Sequence, residues 1–559
     1  MKSTYLVIAF LATFLTSDAL PITSTGQNCA VCEIIVDIVR DTMTNPDFDN
    51  WIEPFVVFMC AALKIQDNFV CQGFVSANKD EFIWIMSQYL KNPIEICGIF
   101  VSDCDYSFQP NNATWTLPMP GIKPLHQEIP DPDEKEAIKM PAGKWGTVAG
   151  ASGVVKCDLP YWTLINMLEH IVATHNDIDY ILVSGDLESH ATYDYTFESH
   201  EFIAKNISNT LRSYFPDKNI YFAIGNHEGI PVDNFAPHFT PERFHMDPLY
   251  TVMADSWEGW VPDDQRDSII YNGCYVKQLF PGLRLISLNN GFGDYHNFFL
   301  YLNQTDPDGT MTWLIDQLAM AEYAGDKVQI LAHMPGTDNM ALEGWAINYY
   351  NAVNRFEDTI VGQFFGHTHY ATYCMTYEDP EDYKSRPTSV IYSAPSVTTI
   401  SNYNPGYRLW TIEGNYSGSN FQIIDFEEWM LNLTVANENP DQPPQWEAMF
   451  LSAKEEYEMP SLKPTYWNQL IDRMLTNDTL LQQFLRNYYR ISDRDCDMDC
   501  KNSILCHLRQ AHHSDNLCSD FMPPQKQAYA EKFPNFKSKN EAIEYVEDIK
   551  KKLLKNHKN

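Results

Sequence analysis

Five short apolar runs follow one another in the middle of the chain, and ligand-type residues come directly after four of them. The runs are 180–183, 221–224, 283–288, 328–331 and 360–365. Each has the length and apolar character of a buried β-strand and ends in polar residues, and a helical pattern at 161–171 precedes them. This alternation predicts an α/β or α+β sandwich whose chemistry lies at the carboxyl ends of strands.

The polar residues after these runs are of the kinds that bind divalent metals. They are Gly185-Asp186 with His190, then Gly225-Asn226-His227-Glu228, then His333, then Gly366-His367-Thr368-His369. A carboxylate can bridge two cations, an asparagine offers a carbonyl oxygen, and imidazoles offer nitrogens, a mixture that suits zinc. Satisfied core histidines or surface turns explain one such motif easily, but not four in this order. We therefore predict a metal centre.

The amino-terminal region carries a compact group of six cysteines. They are Cys29, Cys32, Cys60, Cys71, Cys97 and Cys104. The apolar residues around them recur with a helical period, as at Phe55 and Phe58 and again at Phe82, Ile85 and Met86. This predicts a small helical bundle held by three disulfides, and the sequence alone allows fifteen pairings.

The first residues resemble an export signal. Lys2, an apolar run and a small-residue end at 17–19 have the order of a secretory signal peptide, which we place at 1–19. Six Asn-x-Ser/Thr sequons agree with a glycosylated, secreted product: Asn112, Asn206, Asn303, Asn415, Asn432 and Asn477. Thirteen cysteines imply disulfides in such a chain. No later stretch is long and apolar enough for a transmembrane helix, so we expect a soluble exported protein.

The charge balance excludes one class of partner. The net charge is −35, from 74 acidic against 39 basic residues. Nucleic-acid binding needs a basic face, so a nucleic-acid partner is excluded. Such an acidic chain repels itself less where carboxylates are partly protonated, which favours an acidic compartment.

Several motifs together resemble one family. They are 156–160 (Lys-Cys-Asp-Leu-Pro), 225–228 (Gly-Asn-His-Glu), 362–369 (Gly-Gln-Phe-Phe-Gly-His-Thr-His), 404–408 (Asn-Pro-Gly-Tyr-Arg) and 414–418 (Gly-Asn-Tyr-Ser-Gly). With the six-cysteine region upstream, which resembles a saposin-type domain, they are similar to the acid sphingomyelinase family of calcineurin-like metallophosphoesterases. The resemblance runs from Cys29 to about Cys518.

The resemblance implies a domain order. It is a saposin-type lipid-interacting domain at 25–108, a proline-rich linker at 109–145, a metallophosphoesterase sandwich at 146–440 and a helical, disulfide-stapled region at 441–559. The saposin pattern implies the pairs Cys29–Cys104, Cys32–Cys97 and Cys60–Cys71. The partner of Cys157 in the family is absent here, which leaves Cys274 to pair with Cys374. The last four cysteines, Cys496, Cys500, Cys506 and Cys518, then form two local pairs.

The resemblance also implies roles for the residues after the strands. Asp186 bridges two zinc ions; Asn226, His333 and His367 complete one site, and His369 serves the other. His227 and His190 lie near the scissile phosphate, where a protonated imidazole can donate to the leaving alkoxide. Tyr407 would hold the choline headgroup through its aromatic face, although an ordinary packed tyrosine is at least as good an interpretation.

One motif of the superfamily is missing. An Asp-x-His at the end of the first strand supplies ligands to the first metal, and between Trp115 and Cys157 we find neither that tripeptide nor a strand-like run. Asp294-Tyr295-His296 has the right residues but the wrong place, and we interpret it as a surface loop. We therefore expect about one zinc ion rather than two, and a sheet that lacks a strand.

The leading hypothesis is a secreted or lysosomal phosphodiesterase that cleaves sphingomyelin to ceramide and phosphocholine, with weak activity in this form. Its partners would be sphingomyelin and a membrane surface, and we expect a monomer. Two alternatives stay open. One is a related phosphodiesterase for soluble nucleotides, which would need no lipid-presenting domain. The other is a non-catalytic lipid-binding or regulatory protein, which the missing motif favours.

Overall fold

The structure is a computed structural model. It describes residues 48–62, 65–89, 114–124, 138–143, 158–337, 340–438, 442–492 and 494–522, with a few isolated positions before 130. The chain divides into two compact units, one of residues 1–113, 301–303 and 525–559 and the other of 114–300 and 304–524. The signal segment at 1–19, Cys29, Cys32, Cys104, Asn112 and Cys157 lie outside the described residues. Within the described part, no helix is both long and apolar enough to cross a membrane.

Two helices of the first unit are described along their length, α1 (Phe48–Ala62) and α2 (Asn68–Tyr89). The disulfide Cys60–Cys71 ties the end of α1 to the start of α2, and this is the pairing that the saposin resemblance implied. Ile85 of α2 is buried, as its helical spacing predicted. Cys97 is also disulfide-bonded. The predicted helices and one of the three predicted disulfides are therefore present.

The second unit is built on two six-stranded sheets with helices around them. Its strands are β1 (Ile138–Gly143), β2 (Tyr180–Val183), β3 (Asn219–Phe222), β4 (Tyr275–Phe280), β5 (Leu283–Ser287), β6 (Lys327–Leu331), β7 (Ile360–Phe365), β8 (Thr372–Tyr377), β9 (Pro387–Ser393), β10 (Gly406–Ile412), β11 (Ile423–Leu431) and β12 (Trp446–Phe450). Its helices are α3 (Tyr161–Thr174), α4 (Phe197–Tyr214), α5 (Asp247–Ser256), α6 (Arg266–Asn272), α7 (Thr310–Ala324), α8 (Glu343–Arg355), α9 (Leu433–Glu438), α10 (Ala453–Glu456), α11 (Pro464–Thr476), α12 (Asp478–Tyr488) and α13 (Met498–Arg509). The predicted α/β sandwich is confirmed.

The order and direction of the strands explain why the ligand-type residues lie at one edge of each sheet. The first sheet runs β12-β11-β10-β1-β2-β3 and the second runs β4-β5-β6-β7-β9-β8. β1, β2 and β3 are parallel, and so are β5, β6 and β7. The carboxyl ends of parallel strands meet at the same edge of a sheet. All five predicted strands are present, with ends that differ by two residues or fewer from the predicted runs.

Side chains of the second sheet alternate between two apolar cores. Phe364 and Tyr392 pack towards the first sheet, where the Phe364 ring lies 5.1 Å from the Trp410 ring. Phe365 and Ile391, next to them in sequence, pack into the core that includes α7 and α8. This period of two is the geometry of a strand buried on both faces.

A strand is present where the sequence analysis found none. β1 pairs antiparallel with β10 and parallel with β2, in the middle of the first sheet. The prediction that 109–145 contains no strand, and that the sheet lacks one, is therefore wrong. β1 includes Lys139 and Pro141, residue types that central strands usually exclude, which is why no apolar run was visible.

The carboxyl-terminal region is helical and disulfide-bonded, as predicted. Cys496–Cys500 and Cys506–Cys518 are the two local pairs. α11 and α13 pack against β8 and β9. The helices up to residue 524 therefore belong to the same compact unit as the sandwich.

The predicted pair Cys274–Cys374 is wrong, because both thiols are buried and free. Cys274 precedes β4 and Cys374 lies in β8, at opposite edges of the second sheet. Five interstrand spacings of ~4.8 Å separate these edges by about 24 Å. A disulfide needs Cα atoms within about 7 Å of one another.

Both free thiols should resist alkylation in the native protein. Burial raises the pKa of the Cys274 thiol to about 12 and also raises the pKa of Cys374, so neither forms a thiolate near neutral pH. Peptide mapping after iodoacetamide treatment should find both residues unmodified in the native protein and both modified in denaturant without a reductant. A cross-linked Cys274–Cys374 peptide would contradict this assignment.

Candidate metal centre and active site

Four ligand-type side chains from four strand ends meet in one buried cluster. Asp186 follows β2, Asn226 follows β3, His333 follows β6 and His367 follows β7. His333 Nε2 lies 2.8 Å from Asn226 Oδ1 and 3.1 Å from Asp186 Oδ2. His367 Nδ1 lies 2.9 Å from Asn226 Oδ1 and 3.3 Å from His333 Nε2. These four residues are those that the family resemblance assigned to one metal.

Hydrogen bonds on the far side of two ligands fix which atoms face the centre. His333 Nδ1 donates to the Ser184 carbonyl at 2.6 Å, so the neutral ring presents Nε2 as an acceptor. Asn226 Nδ2 donates to Asp233 Oδ1 at 2.7 Å, which turns Asn226 Oδ1 towards the two imidazoles. Acceptor atoms therefore converge, and metal-binding histidines are oriented in the same way by a carbonyl or carboxylate.

The spacing of the acceptors also fits a bound ion. Ligand atoms ~2.0 to 2.2 Å from a tetrahedral zinc lie about 3.3 to 3.6 Å from one another. The observed separations of 2.8 to 3.3 Å approach that range. Asp186, His333 and His367 are all within reach of a single cation. The residues present thus fit one metal ion.

The loops that carry the ligands adopt unusual backbone conformations. Asp186, His367 and His369 have positive φ angles of 60°, 64° and 62°. This left-handed region costs a residue with a Cβ about 1 kcal/mol or more, and such residues concentrate at functional sites. Gly185 and Gly225 let the loops after β2 and β3 approach closely, because a Cβ at Gly225 would collide with the Asp186 carboxylate.

Glu228 holds the two loops together, a role that the sequence analysis missed. Its buried carboxylate accepts backbone N–H groups from Asp186 at 2.9 Å and from Leu187 and Gly225. Burial, with the nearby charge of Asp186, raises the pKa of Glu228 to about 7. The last residue of the Gly-Asn-His-Glu motif thus positions ligands.

The predicted acid His227 is buried beside Asp186 and oriented by a tyrosine. Its backbone N–H donates to Asp186 Oδ1 at 3.0 Å. Its Nδ1 lies 2.5 Å from the Tyr195 hydroxyl, which itself donates to the Ser189 carbonyl. Because that hydroxyl proton is used, His227 Nδ1 must be the donor to Tyr195. Nothing in the sequence pattern identified Tyr195.

The second predicted acid, His190, stands next to His227. The two ring centroids are 4.4 Å apart, and the His190 ring lies 5.4 Å from that of His369. Asp158 accepts both from His190 Nδ1, at 2.7 Å, and from the His190 backbone N–H, at 2.8 Å. Asp158 lies in the Lys-Cys-Asp-Leu-Pro motif, which gives that motif a positioning role.

His369 is supported from the carboxyl-terminal helices. Its Nδ1 lies 3.3 Å from Ser401 Oγ, and its backbone carbonyl accepts from Arg490 Nη1 at 2.8 Å. Arg490 is completely buried and also donates to the Asn404 carbonyl and to Ser396 Oγ. Arg490 follows α12, so residues beyond the sandwich hold a ligand loop.

The stretch of sequence that contains and follows β1 offers no carboxylate or imidazole. β1 reaches the same sheet edge as β2, but no Asp, Glu or His occurs from residue 138 to residue 157. β1 is thus present in the sheet, and no Asp-x-His follows it up to residue 157.

The surroundings of Tyr407 favour the packed-tyrosine interpretation over a role in holding a headgroup. Tyr407 lies on β10 and is 1% exposed. Its hydroxyl pairs with His175 Nε2 at 2.8 Å, and its ring packs against Trp429 and Trp446. The next residue, Arg408, forms a buried ion pair with Glu428 at 2.8 Å. The Asn-Pro-Gly-Tyr-Arg motif is therefore structural at these two positions.

The interpretation of Asp294-Tyr295-His296 as a surface loop is also wrong. Asp294 is completely buried. Its backbone N–H bonds to the Gly291 carbonyl, and its carboxylate lies close to Asp233, the residue that orients Asn226.

Of the described sequons, Asn303, Asn415 and Asn477 are exposed and Asn206 and Asn432 are half-buried, so the glycosylation prediction stays open.

Comparisons with known proteins agree with this geometry. Residues 154–371 match a family model described as calcineurin-like phosphoesterase. The chain is 32% identical over 556 residues to sphingomyelin phosphodiesterase 2 of Caenorhabditis elegans, with 89% of this chain and 88% of that protein covered. It is 34% identical to sphingomyelin phosphodiesterase of Homo sapiens, with 89% and 83% covered. A cyclic GMP-AMP phosphodiesterase of Mus musculus is 28% identical and covers 64% of this chain and 80% of its own length. The chain therefore belongs to the sphingomyelin phosphodiesterase family and contains a calcineurin-like metallophosphoesterase domain.

Proposed function

We propose that this protein hydrolyses sphingomyelin to ceramide and phosphocholine, with low activity, in a secreted or lysosomal setting. The observation that carries the proposal is the cluster of Asp186, Asn226, His333 and His367 with two further histidines beside it. Relatives named sphingomyelin phosphodiesterases match most of the chain, whereas the cyclic GMP-AMP phosphodiesterase matches a smaller share. The disulfides and the sequons support passage through the secretory pathway.

Asp186, Asn226, His333 and His367 would hold one ion, for which zinc suits two imidazoles and two oxygens. Such an ion lowers the pKa of bound water and stabilises negative charge on phosphate oxygens. The protein supplies the rest of the arrangement. Glu228 fixes the two loops and Ser184 sets the tautomer of His333. Asp186, Asn226 and His333 are buried, whereas His367 is half-buried.

His227 and His190 are the candidate proton donors to the leaving alkoxide of ceramide. With Nδ1 bonded to Tyr195, His227 can carry the transferable proton on Nε2. Asp158 orients the ring of His190 by accepting from its Nδ1. Imidazole, with an ordinary pKa of about 6.5, is protonated in an acidic compartment, which fits proton donation there.

Low activity follows from the unequal ligand sets. Of the ligands that the family resemblance implies for the first ion, Asp186 and His369 would remain, because no Asp-x-His follows β1. Two protein ligands hold an ion poorly, since catalytic zinc sites use about three. The same loss supports the alternative of a non-catalytic lipid-binding protein. The following experiment distinguishes that alternative from a slow enzyme.

We expect the purified full chain, loaded with zinc, to release phosphocholine slowly from sphingomyelin vesicles at acidic pH. His333→Ala should abolish the release and remove the bound active-site ion, because it deletes a ligand that contacts two others. His513→Ala is a matched control, since His513 bonds to the Ala341 carbonyl and is not one of the four ligands. Long incubations with a radiolabelled choline group provide the sensitivity. Release equal in the wild type and in His333→Ala would favour the non-catalytic alternative. Cleavage of a nucleotide phosphodiester but not of sphingomyelin would contradict the substrate.

The first unit is proposed to present the lipid. Phe69 and Phe74 on α2 are 61% and 46% exposed, and exposed aromatic side chains favour insertion at a membrane surface. Phe69→Ser with Phe74→Ser should weaken binding to anionic vesicles several-fold in a flotation assay at acidic pH. Tyr323→Ser, at a 97% exposed position of the second unit, should leave binding unchanged. Equal flotation of all three proteins would indicate that α2 is only a spacer.

A further inference from the structure

A second group of ligand-type side chains lies next to Asn226, and we call it the Asp294 cluster. It consists of Asp233, Asp294 and His296, whose ligand atoms all lie within 4.8 Å of one another. Asp294 and His296 are on the loop that follows β5, at the same edge as the ligand loops. Asp233 is on the loop that follows Asn226. No role in the reaction proposed above uses these three residues together.

Two buried polar atoms of the cluster have no hydrogen-bond partner among the described residues. They are Asp294 Oδ2 and His296 Nδ1. Asp294 is 0% exposed, and its Oδ1 accepts the backbone N–H of His296 at 2.8 Å. A buried carboxylate oxygen without a donor is unfavourable, and each such atom calls for an explanation.

Ion pairs with His296 explain only part of the arrangement, because they leave Asp294 Oδ2 without a donor in the described part of the chain. His296 Nδ1 lies 3.5 Å from Asp294 Oδ1 and 3.8 Å from Asp233 Oδ2, which is too far for hydrogen bonds of normal strength. The two carboxylates are crowded together, since ligand atoms of Asp233, Asp294 and His296 all lie within 4.8 Å of one another. The separations from His296 Nδ1 are close to the ~3.3 to 3.6 Å between neighbouring ligands of tetrahedral zinc.

We propose that the Asp294 cluster binds a divalent cation of the zinc type, through Asp233, Asp294 and His296. This is a different place from the lost first metal site, because its ligands follow β3 and β5 rather than β1. The expected metal content of the chain rises from about one ion to about two. The proposal concerns metal binding and does not depend on the reaction proposed above.

The cation would also support the active site. Asp233 Oδ1 accepts from Asn226 Nδ2 at 2.7 Å, and this bond turns Asn226 Oδ1 towards His333 and His367. A cation on the other oxygen of Asp233 would hold that carboxylate in place. Asp233 is thus a positioning residue, and residues of this kind commonly change metal affinity ~10 to 100-fold.

Metal analysis of the full chain tests the proposal. After loading with Zn²⁺ and dialysis, the wild type should hold about two ions, and Asp294→Asn and His333→Ala about one each. Asp294→Asn keeps an oxygen for the His296 N–H, so folding should survive, and circular dichroism checks this. His238→Gln is the matched control and should keep about two ions. It lies in another His-Asp group, in which His238 already donates to Asp308 at 2.9 Å.

Anomalous scattering at the zinc edge from crystals of the wild type gives a readout that needs no variant. A peak among Asp233, Asp294 and His296 is expected. Absence of that peak, or equal zinc in Asp294→Asn and the wild type, overturns the proposal. If the wild type holds one ion and His333→Ala holds none, the Asp294 cluster does not bind a cation, and the proposed reaction is unaffected. Zinc lost in His238→Gln but not in Asp294→Asn would place the second ion elsewhere and equally overturn it.

Discussion

Lys144→Asp combined with Gly146→His is expected to raise phosphocholine release from sphingomyelin at acidic pH by at least about 100-fold. Residues 144 and 146 are the first and third after β1, so the two substitutions introduce an Asp-x-His at the end of the first strand, where the superfamily carries it. The last pair of the β1–β2 ladder is Gly143 with Val183, so β1 ends beside the strand whose end carries Asp186. The new side chains would complete the ion site that Asp186 and His369 begin.

The matched control is Lys144→Asn with Gly146→Gln, which has similar bulk and poorer ligands. It should stay at the activity of the starting chain. Metal analysis separates the possible failures. One extra zinc ion without a gain in activity would contradict the assignment of Asp186 and His369 to the reaction. No extra ion would mean that β1 does not deliver residues 144–146 to the ligand edge.

His227→Ala in this restored chain is expected to remove most of the gain, at least about 100-fold in kcat. The reason is that His227, buried beside Asp186, is the better oriented of the two candidate acids. Rates for a substrate with a nitrophenol leaving group measure this directly, because such a group leaves without protonation. That substrate should be cleaved nearly as well by the variant. An equal loss on both substrates would assign His227 to binding rather than to proton donation.

Tyr195→Phe tests how His227 is oriented. It removes the oxygen that accepts from His227 Nδ1 and leaves the ring in place. We expect about a tenfold fall in kcat and a shift of the pH profile, with little change in KM. Tyr323→Phe is the matched control, because this tyrosine is 97% exposed on α7. A fall in stability without a shift in the pH profile would make Tyr195 merely structural.

The sequence predicted which ligand-type side chains meet, because each of them comes shortly after an apolar run. Ile360–Phe365 is a strand with the predicted ends, and His367 and His369 come after it. Parallel pairing of β2 with β3 and of β6 with β7 then brings the ligands together, a consequence of topology that needs no side-chain detail. Such local patterns are visible in one sequence.

Features that depend on partners distant in sequence were missed. β1 carries Lys139 and Pro141, and it forms a strand because β10 and β2 provide edges on both sides. Tyr407 was given a binding role because a sequence does not display the two tryptophans that cover its ring. Pairing Cys274 with Cys374 by elimination ignored the order of the strands between them.

The burial of Asp294 was missed for a related reason. The residues around it, Gly291, Gly293 and His296, are typical of an exposed turn. The loop is instead packed on Trp345, since a Cβ at Gly293 would collide with that indole. Glycine here permits close packing rather than exposure.

Through Arg490, the carboxyl-terminal region of residues 441–559 contributes to the geometry of the candidate active site. The guanidinium of Arg490 bonds to the carbonyl of His369 and lies beyond the end of the sandwich in sequence. An early stop codon or a proteolytic cut ahead of Arg490 would therefore act as an active-site lesion, although every ligand is still encoded. Inherited variants that destabilise α12 are expected to reduce activity rather than alter regulation. A screen confined to the segment that carries the ligand motifs would overlook them.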